Sequence, residues 1–379
     1  MRFIKKILFY SDAIALGGHE IMSLAASTSI REYYPATDIQ WLVSEDNKRL
    51  LQKLQQGGFC YSFLKATPRG RLLQHPFAVL RAVMANSRKI RKLAPDVVVV
   101  AQGIVTFSLL GSLAARLAGV SHCCYQPTGG LASDRDPKHG SRLLDTLWTL
   151  CYRHTHKFIT IDEEQKRLIA ASNPAATIRI VENYIPKVMD FPYSGEQLRR
   201  TWQIGDRRVI GVVGRISFPD KRQDWLLREI AADPFWKDYL ILFIGDGPDS
   251  TQLAQLVTEL DLGEQVRIMG WSESVHTLYP ALDALLIPSR CEGVPLVMLE
   301  SLAQKVPVIG SNRDGMKVWL PAEWRFEAGD AEGMKQAVLA ALQRGETDEF
   351  WRDTQEHLNK IHDRKRFATE FFNAISSFV

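Results

Sequence analysis

The chain has 379 residues, of which 46% are hydrophobic and 24% charged, with a formal net charge of +4. This is an ordinary globular composition, and the length exceeds one typical core, so two domains of roughly 150 to 200 residues are expected. Five cysteines, with no C-x-x-C pair, argue against a disulfide framework or a structural zinc site and point to a reducing compartment, the cytoplasm.

No apolar run reaches the ~18 residues of a membrane span. After Met1-Arg2-Phe3-Ile4-Lys5-Lys6 the apolar stretch is stopped by Asp12, which fits a buried first strand rather than a secretory leader. Charge is uneven: residues 1–185 carry +10 and residues 186–379 carry −6, so the two halves are expected to meet different partners.

Strands are expected at 7–10, 39–43 and 97–100, the last a continuous valine run that reads as buried on both faces. Further strands follow at 122–125, 158–161 and 178–181. Helical periodicity falls between them at 20–33, 107–117, 143–154 and 163–171. After a weaker stretch at 186–208 the alternation resumes, with strands at 209–213, 240–244, 266–268, 284–287 and 306–309. Helices of this second series are expected at 223–232, 250–260, 296–303 and 331–344, and a last helix within 363–379. Strand–helix alternation of this kind predicts an α/β chain with two parallel-sheet domains. Ligands of such sheets bind outside the carboxyl ends of the strands, so the informative residues should follow strands.

After the strand at 209–213 comes Gly214-Arg215-Ile216-Ser217-Phe218-Pro219-Asp220-Lys221. Gly214 permits a sharp turn, Arg215 offers a fork of donors for phosphate oxygens, and Lys221 adds a point charge. The next loop, Gly245-Asp246-Gly247-Pro248, lacks the third glycine of a dinucleotide fingerprint and reads as a tight structural turn, which argues against a dehydrogenase. The strongest feature is Ser289-Arg290-Cys291-Glu292-Gly293-Val294-Pro295-Leu296-Val297-Met298-Leu299-Glu300. Pro295 fits the first turn of a helix, and the amides of Val294, Leu296 and Val297 then form an anion site at its N-terminus. Glu300 lies about 7.5 Å further along, roughly the reach from a phosphate to a ribose. Each carboxylate is thus suited to gripping the hydroxyls of one sugar.

From about Val209 to Gly315 this order of motifs resembles glycosyltransferase family 4, the retaining enzymes with the GT-B fold. The resemblance rests on G-R-x5-K, G-D-G-P, V-R-I-M-G-W, the E-x7-E spacing of Glu292 and Glu300, and P-V-I. It implies two Rossmann-like domains facing across a cleft: an acceptor-side domain at 1–186, a donor domain at 187–362, and a helix at 363–379 packing back on the first domain. It implies that Arg215 and Lys221 clamp the donor diphosphate and stabilise the departing nucleotide. Glu292 would bind the transferred sugar, with Gly293, Val294, Pro295, Leu296 and Val297 presenting backbone, and Glu300 would bind the ribose. Gly214 shapes the phosphate loop, and Met269 and Gly270 would border the base. Gly17 and Gly18, with His19 and Glu20, resemble the family's glycine loop, which would face the donor phosphate and the acceptor, with Gly17 and Gly18 binding the donor. Asn183 resembles the segment that closes the first domain. The resemblance implies a metal-independent hexosyltransferase without cofactors, and no D-x-D follows a strand in the donor half; Asp134 and Asp136 lie in a first-half loop.

Departures are present. Where many relatives carry a histidine, this chain offers Gln126, which with His19 is the acceptor-side candidate; His122 sits on the strand itself. Lys305 stands where the family has glycine, and Asp314-Gly315 replaces a glycine pair.

Residues 65–93 contain Lys65, Arg69, Arg71, Arg81, Arg88, Lys89, Arg91 and Lys92 and no Asp or Glu. Phe77, Leu80, Val83, Met84, Ile90 and Leu93 are interleaved at helical spacing, as in a basic amphipathic helix suited to an anionic membrane surface. No nucleic-acid module accompanies these charges. The expected function is transfer of a sugar from a UDP- or GDP-sugar to a glycan or lipid-linked acceptor, in lipopolysaccharide or surface polysaccharide synthesis at the cytoplasmic face of a bacterial inner membrane. The rival readings are a non-catalytic sugar-nucleotide-binding protein and another GT-B enzyme such as an epimerase.

Overall fold

The computed structural model describes residues 4–65, 76–103, 105–135, 142–187, 193–205, 207–343 and 349–379. The chain forms two compact units, Met1–Tyr184 with Asp363–Val379, and Ile185–His362.

The first unit is built on seven parallel strands: β1 (Lys6–Ser11), β2 (Asp38–Val43), β3 (Cys60–Phe63), β4 (Val97–Ala101), β5 (Ser121–Tyr125), β6 (Lys157–Thr160) and β7 (Thr177–Ile180). Their order in the sheet is β3-β2-β1-β4-β5-β6-β7. Every residue of β4 is buried, as a β-branched strand flanked by helices on both faces requires. Phe9 and Trp41 stack across β1 and β2 at 4.9 Å between centroids. The helix Arg364–Ser376 belongs to this unit. It packs on the helix Gly18–Tyr33, with Phe372 stacked on Tyr34 at 4.0 Å and Phe371 fully buried.

The second unit has six parallel strands: β8 (Arg208–Val213), β9 (Tyr239–Ile244), β10 (Val266–Gly270), β11 (Ala284–Ile287), β12 (Val308–Ser311) and β13 (Arg325–Phe326), ordered β10-β9-β8-β11-β12-β13. Its core gathers all of β9 with Trp236, Trp324, Met298 and Leu302. In each unit the order of connection reverses once, between β1 and β4 and between β8 and β11. Those two points are where an open parallel sheet leaves a crevice at its carboxyl edge.

Several elements differ from expectation. The strand expected at 306–309 runs Val308–Ser311, because Pro307 has no N–H to give a ladder and Lys305 turns the chain at φ +58°. β3 and β13 were not expected. β3 is a short, half-exposed edge strand and β13 has only two residues, so neither shows a run of alternation. The helices Lys48–Gln56 and Glu349–Ile361 were likewise not expected. The basic helix is observed at Pro76–Leu93; Arg69 and Arg71 lie outside the described residues. No described helix is long and apolar enough to cross a membrane.

Candidate functional site

Apart from Gly17 and Gly18, which lie in the first unit, the predicted donor residues lie along the carboxyl edge of the second sheet: Met269 and Gly270 at the end of β10, the others around the β8–β11 reversal. Gly214 ends β8 with φ +138°, a value that excludes side chains, and its amide donates to the Ile244 carbonyl of neighbouring β9. The following segment is less open than a loop. Its last four residues, Phe218–Lys221, form a helical turn, which ends at Arg222 with φ +57°. Buried Gln223 holds this segment from below: its Oε1 accepts from the Ser217 amide at 3.2 Å and its Nε2 donates to the Arg215 carbonyl at 3.0 Å. Asp249 takes the Phe218 amide at 2.7 Å.

The turn Gly245–Pro248 packs directly behind it. A Cβ on Gly245 would lie 2.0 Å from the Gly214 carbonyl oxygen, and one on Gly247 would lie 2.1 Å from that of Ile216. The tight turn is therefore a backing plate for the cationic segment. Gly245 also donates its amide to the Gly270 carbonyl at 2.8 Å, tying in the end of β10, where Gly270 has φ +70° and Met269 is exposed.

Lys221 and Glu292 meet in an ion pair, with only 24% and 12% of their side chains exposed. Arg215, half exposed, pairs with Asp220 at 3.1 Å. The sequence foresaw one group for phosphate and another for sugar. The structure instead couples a member of each.

The Glu292 segment is clamped by the residues that follow β12. The Ser311 hydroxyl donates to the Ser289 carbonyl at 2.6 Å, the Arg313 guanidinium donates to the Arg290 carbonyl, and Asp314 accepts the Glu292 amide at 2.9 Å. Gly315 donates to the Gly293 carbonyl at 2.9 Å, and a Cβ there would come within 2.7 Å of it. Asp314 stands at φ +47° and Lys305 at φ +58°. Both departures from the expected glycines thus occupy left-handed backbone, where glycine is the least strained residue.

Pro295 is the cap of the helix Leu296–Ala303 rather than a residue of its first turn. It has ψ 125°, and its carbonyl accepts from Met298 and Leu299. The amides of Leu296 and Val297, in the first turn, have no helical carbonyl to bond and point out of the helix N-terminus. One and a half turns on, Glu300 is partly buried, and its Oε2 accepts the Tyr279 hydroxyl at 2.9 Å. Burial pushes its carboxyl up to about 7, against the pull of that hydrogen bond. Gln223, Asp314 and Tyr279 carry no motif of their own. In the sequence Asp314 registers only as a departure from a glycine pair, and nothing marks Gln223 or Tyr279.

In the first unit, Gly17 caps the helix Gly18–Tyr33 and gives its amide to Glu20 Oε2 at 2.8 Å. Glu20 is fully buried, and His19 Nε2 lies 2.5 Å from its other oxygen. The His19 ring lies against Gly103, which follows β4; its Nδ1 would be 3.2 Å from a Cβ there. The two loops meet at the β1–β4 reversal.

Gln126 does not present a free amide group. It is fully buried, and its Nε2 donates to the carbonyls of Thr128 at 2.7 Å and Gly103 at 3.3 Å. Its amide nitrogen braces the loops after β4 and β5, and only Oε1 has no partner among the described residues. His122 sits at the amino end of β5, far along the strand from the carboxyl edge, and burial lowers its pKa to about 4, so it is neutral. A shallow hollow lined by Arg207, Arg208, Lys237, Asp238 and Tyr239 lies at the amino ends of β8 and β9, the wrong edge of the sheet for these residues to take part.

Residues 207–344 match the family model described as Glycosyl transferases group 1. Among curated proteins, the N-acetyl-alpha-D-glucosaminyl L-malate synthase of Bacillus anthracis is 27% identical over 172 residues, 45% of each chain. The UDP-Gal:alpha-D-GlcNAc-diphosphoundecaprenol alpha-1,3-galactosyltransferase of Escherichia coli is 26% identical over 219 residues, 55% of this chain and 56% of that one. The matched part thus spans about half the length of these curated relatives. The crystal structure of Anabaena HepE in complex with UDP-glucose superposes with a TM-score of 0.78 over 98% of this chain and 99% of that chain, at 16% sequence identity.

Proposed function

We propose that this chain is a GT-B glycosyltransferase and that it moves a sugar from a UDP- or GDP-sugar to a glycan or lipid-linked acceptor with retention at the anomeric carbon. The observation that carries this reading is the Lys221–Glu292 pair at the mouth of the Leu296–Ala303 helix. It sets a cation, a carboxylate and a helix N-terminus side by side at a sheet reversal.

When the sugar–diphosphate bond breaks, negative charge grows on the diphosphate. Arg215, Lys221 and the amides of Leu296 and Val297 are the groups that meet it, the two cations sharing or giving up their partners Asp220 and Glu292 as the donor binds. Gly293, Val294 and Pro295 supply the backbone around the anion. Glu292 takes hydroxyls of the transferred sugar and Glu300 those of the ribose, while Met269 and Gly270 border the base. Because cations and amides share the neutralising task, the reaction runs without a metal. Gly17 and Gly18 are the donor-binding glycines of the first unit and His19 its acceptor-side residue, with Gln126 as a buried brace.

The relatives' names support a role in lipopolysaccharide or surface polysaccharide synthesis: one acts on a diphosphoundecaprenol-linked sugar, and another curated relative, from Rhizobium meliloti, is a lipopolysaccharide core biosynthesis glycosyltransferase. We place the chain at the cytoplasmic face of the inner membrane, held by the helix Pro76–Leu93, where Phe77, Leu80 and Met84 are exposed beside Arg81, Arg88 and Lys92.

The test is release of nucleoside diphosphate from UDP- and GDP-sugars with and without a lipid-linked glycan fraction. Release that depends on acceptor, and that Lys221→Ala abolishes, supports the reading. Binding of neither nucleotide sugar overturns it.

A further inference from the structure

We propose that Tyr279 is a positioning residue of the donor site, which fixes which oxygen of Glu300 is offered to the ribose. The inference rests on the assignment of Glu300 as ribose ligand and goes one residue further back.

Tyr279 opens the helical turn Tyr279–Ala281 and is fully buried. Its hydroxyl pKa is raised well above the ordinary value, by burial first and then by Glu300, so it stays protonated and acts as a donor. The proton goes to Glu300 Oε2 at 2.9 Å. A carboxylate rotates freely about its last torsion unless one oxygen is held. With Oε2 occupied, Oε1 has no partner among the described residues, while the side chain as a whole remains partly accessible. One oxygen is therefore spent on the protein and one is left to accept from a ligand hydroxyl.

The same bond governs charge. Burial favours the protonated carboxyl of Glu300, and a proton on Oε1 removes the acceptor a ribose hydroxyl needs. Tyr279 opposes this by stabilising the carboxylate; among the described residues, burial and this hydroxyl are the two influences that shift Glu300. Losing the hydroxyl should thus free the torsion and raise the pH at which Glu300 ionises.

The experiment measures binding of UDP and GDP to the full chain between pH 6 and 9, with the 2′-deoxy and 3′-deoxy diphosphates for comparison. The variants are Tyr279→Phe, Glu300→Gln and both together, each checked for an intact thermal transition. Tyr279→Phe is expected to weaken ribonucleotide binding about 5- to 10-fold at pH 7, the scale of one hydrogen bond. It should lose most of the preference for ribo over deoxy ligands, recover part of its affinity by pH 9, and add nothing in the Glu300→Gln background. A merely structural tyrosine would lower stability without moving the ribo-to-deoxy ratio or the pH profile. If Tyr279→Phe keeps the wild-type ratio and profile while Glu300→Gln loses them, the positioning role is wrong and the ribose assignment stands. If Glu300→Gln also keeps them, the ribose assignment itself fails.

Discussion

Lys221 and Glu292, 71 residues apart in the chain, are paired at the start of the helix Leu296–Ala303, each largely shielded from water. A diphosphate entering here meets a lysine already neutralised by a carboxylate, so the pair must share or exchange its charge as the donor binds. Lys221→Ala is expected to lower kcat by about 10²- to 10³-fold, the size of an electrostatic contact made to the transition state. It also leaves Glu292 partly buried without its cation, which should cost about 1–3 kcal/mol of stability. Glu292→Gln in the same background should return part of that stability but none of the rate. Steady-state kinetics with denaturant unfolding of the wild type and the two variants checks both halves.

Gly247 tests the backing-plate geometry. Its side chain would press on the Ile216 carbonyl oxygen at 2.1 Å, so Gly247→Ala must displace the Arg215 segment. A destabilisation of about 2–4 kcal/mol and weaker diphosphate binding are expected, since overpacking against backbone has no flexible side chain to yield. Gly263→Ala serves as the control, because nothing lies within 4 Å of a Cβ there. Equal melting temperatures for the two variants would show that the Gly245–Pro248 turn does not bear on the cationic segment.

These residues also mark how far the sequence reaches. Lys221 stands out because an anion site at a strand end calls for a cation, and Glu292 and Glu300 because carboxylates flanking a helix start can accept from sugar hydroxyls; their individual roles come from the family resemblance. The helices at Gln223–Ala232 and Leu296–Ala303 follow from periodicity alone. The Lys221–Glu292 pairing is not legible: it depends on β8 and β11 being neighbours, which a list of strands in chain order does not state. Asp314 shows the same limit. Its sequence position registers only a missing glycine, whereas the fold turns it left-handed and brings its carboxylate to the Glu292 amide. Gln126 is the converse. A polar residue after a strand reads as a ligand, yet its amide nitrogen is taken by two carbonyls of its own sheet's loops.

Glu300 links function to stability. Its carboxyl, ordinarily near 4.5, is raised to about 7 in the fold by burial. Between those values the folded state binds more protons than the unfolded one, so this group makes stability fall as pH rises from about 4.5 to 7. Above pH 7 the ionised carboxylate costs up to about 3 kcal/mol, the free energy of a shift of this size. Glu300→Gln removes that cost and is expected to raise the melting temperature at pH 8 but not at pH 4, while weakening nucleotide binding. Melting curves at the two pH values check it. An equal change at both would mean that the charge of Glu300 is not what destabilises the fold.

The helix Pro76–Leu93 carries two kinds of exposed group on one stripe. Phe77 is 79% exposed, Leu80 55% and Met84 39%, at helical spacing. Arg81, Arg88 and Lys92 lie beside them, exposed and without partners among the described residues, whereas Lys89 and Arg91 are occupied by the carbonyls of Phe63 and Leu117. Three free cations near an anionic surface are worth about 1 kcal/mol each, so Arg81→Gln, Arg88→Gln and Lys92→Gln together should cut binding to anionic vesicles by about 100-fold. Phe77→Ser with Leu80→Ser should weaken it as well, and that loss should persist at high salt, because burying apolar rings is not screened. Sedimentation with neutral and anionic vesicles at low and high salt separates the two contributions. Equal recovery of the wild-type chain from both kinds of vesicle would remove the electrostatic anchor altogether.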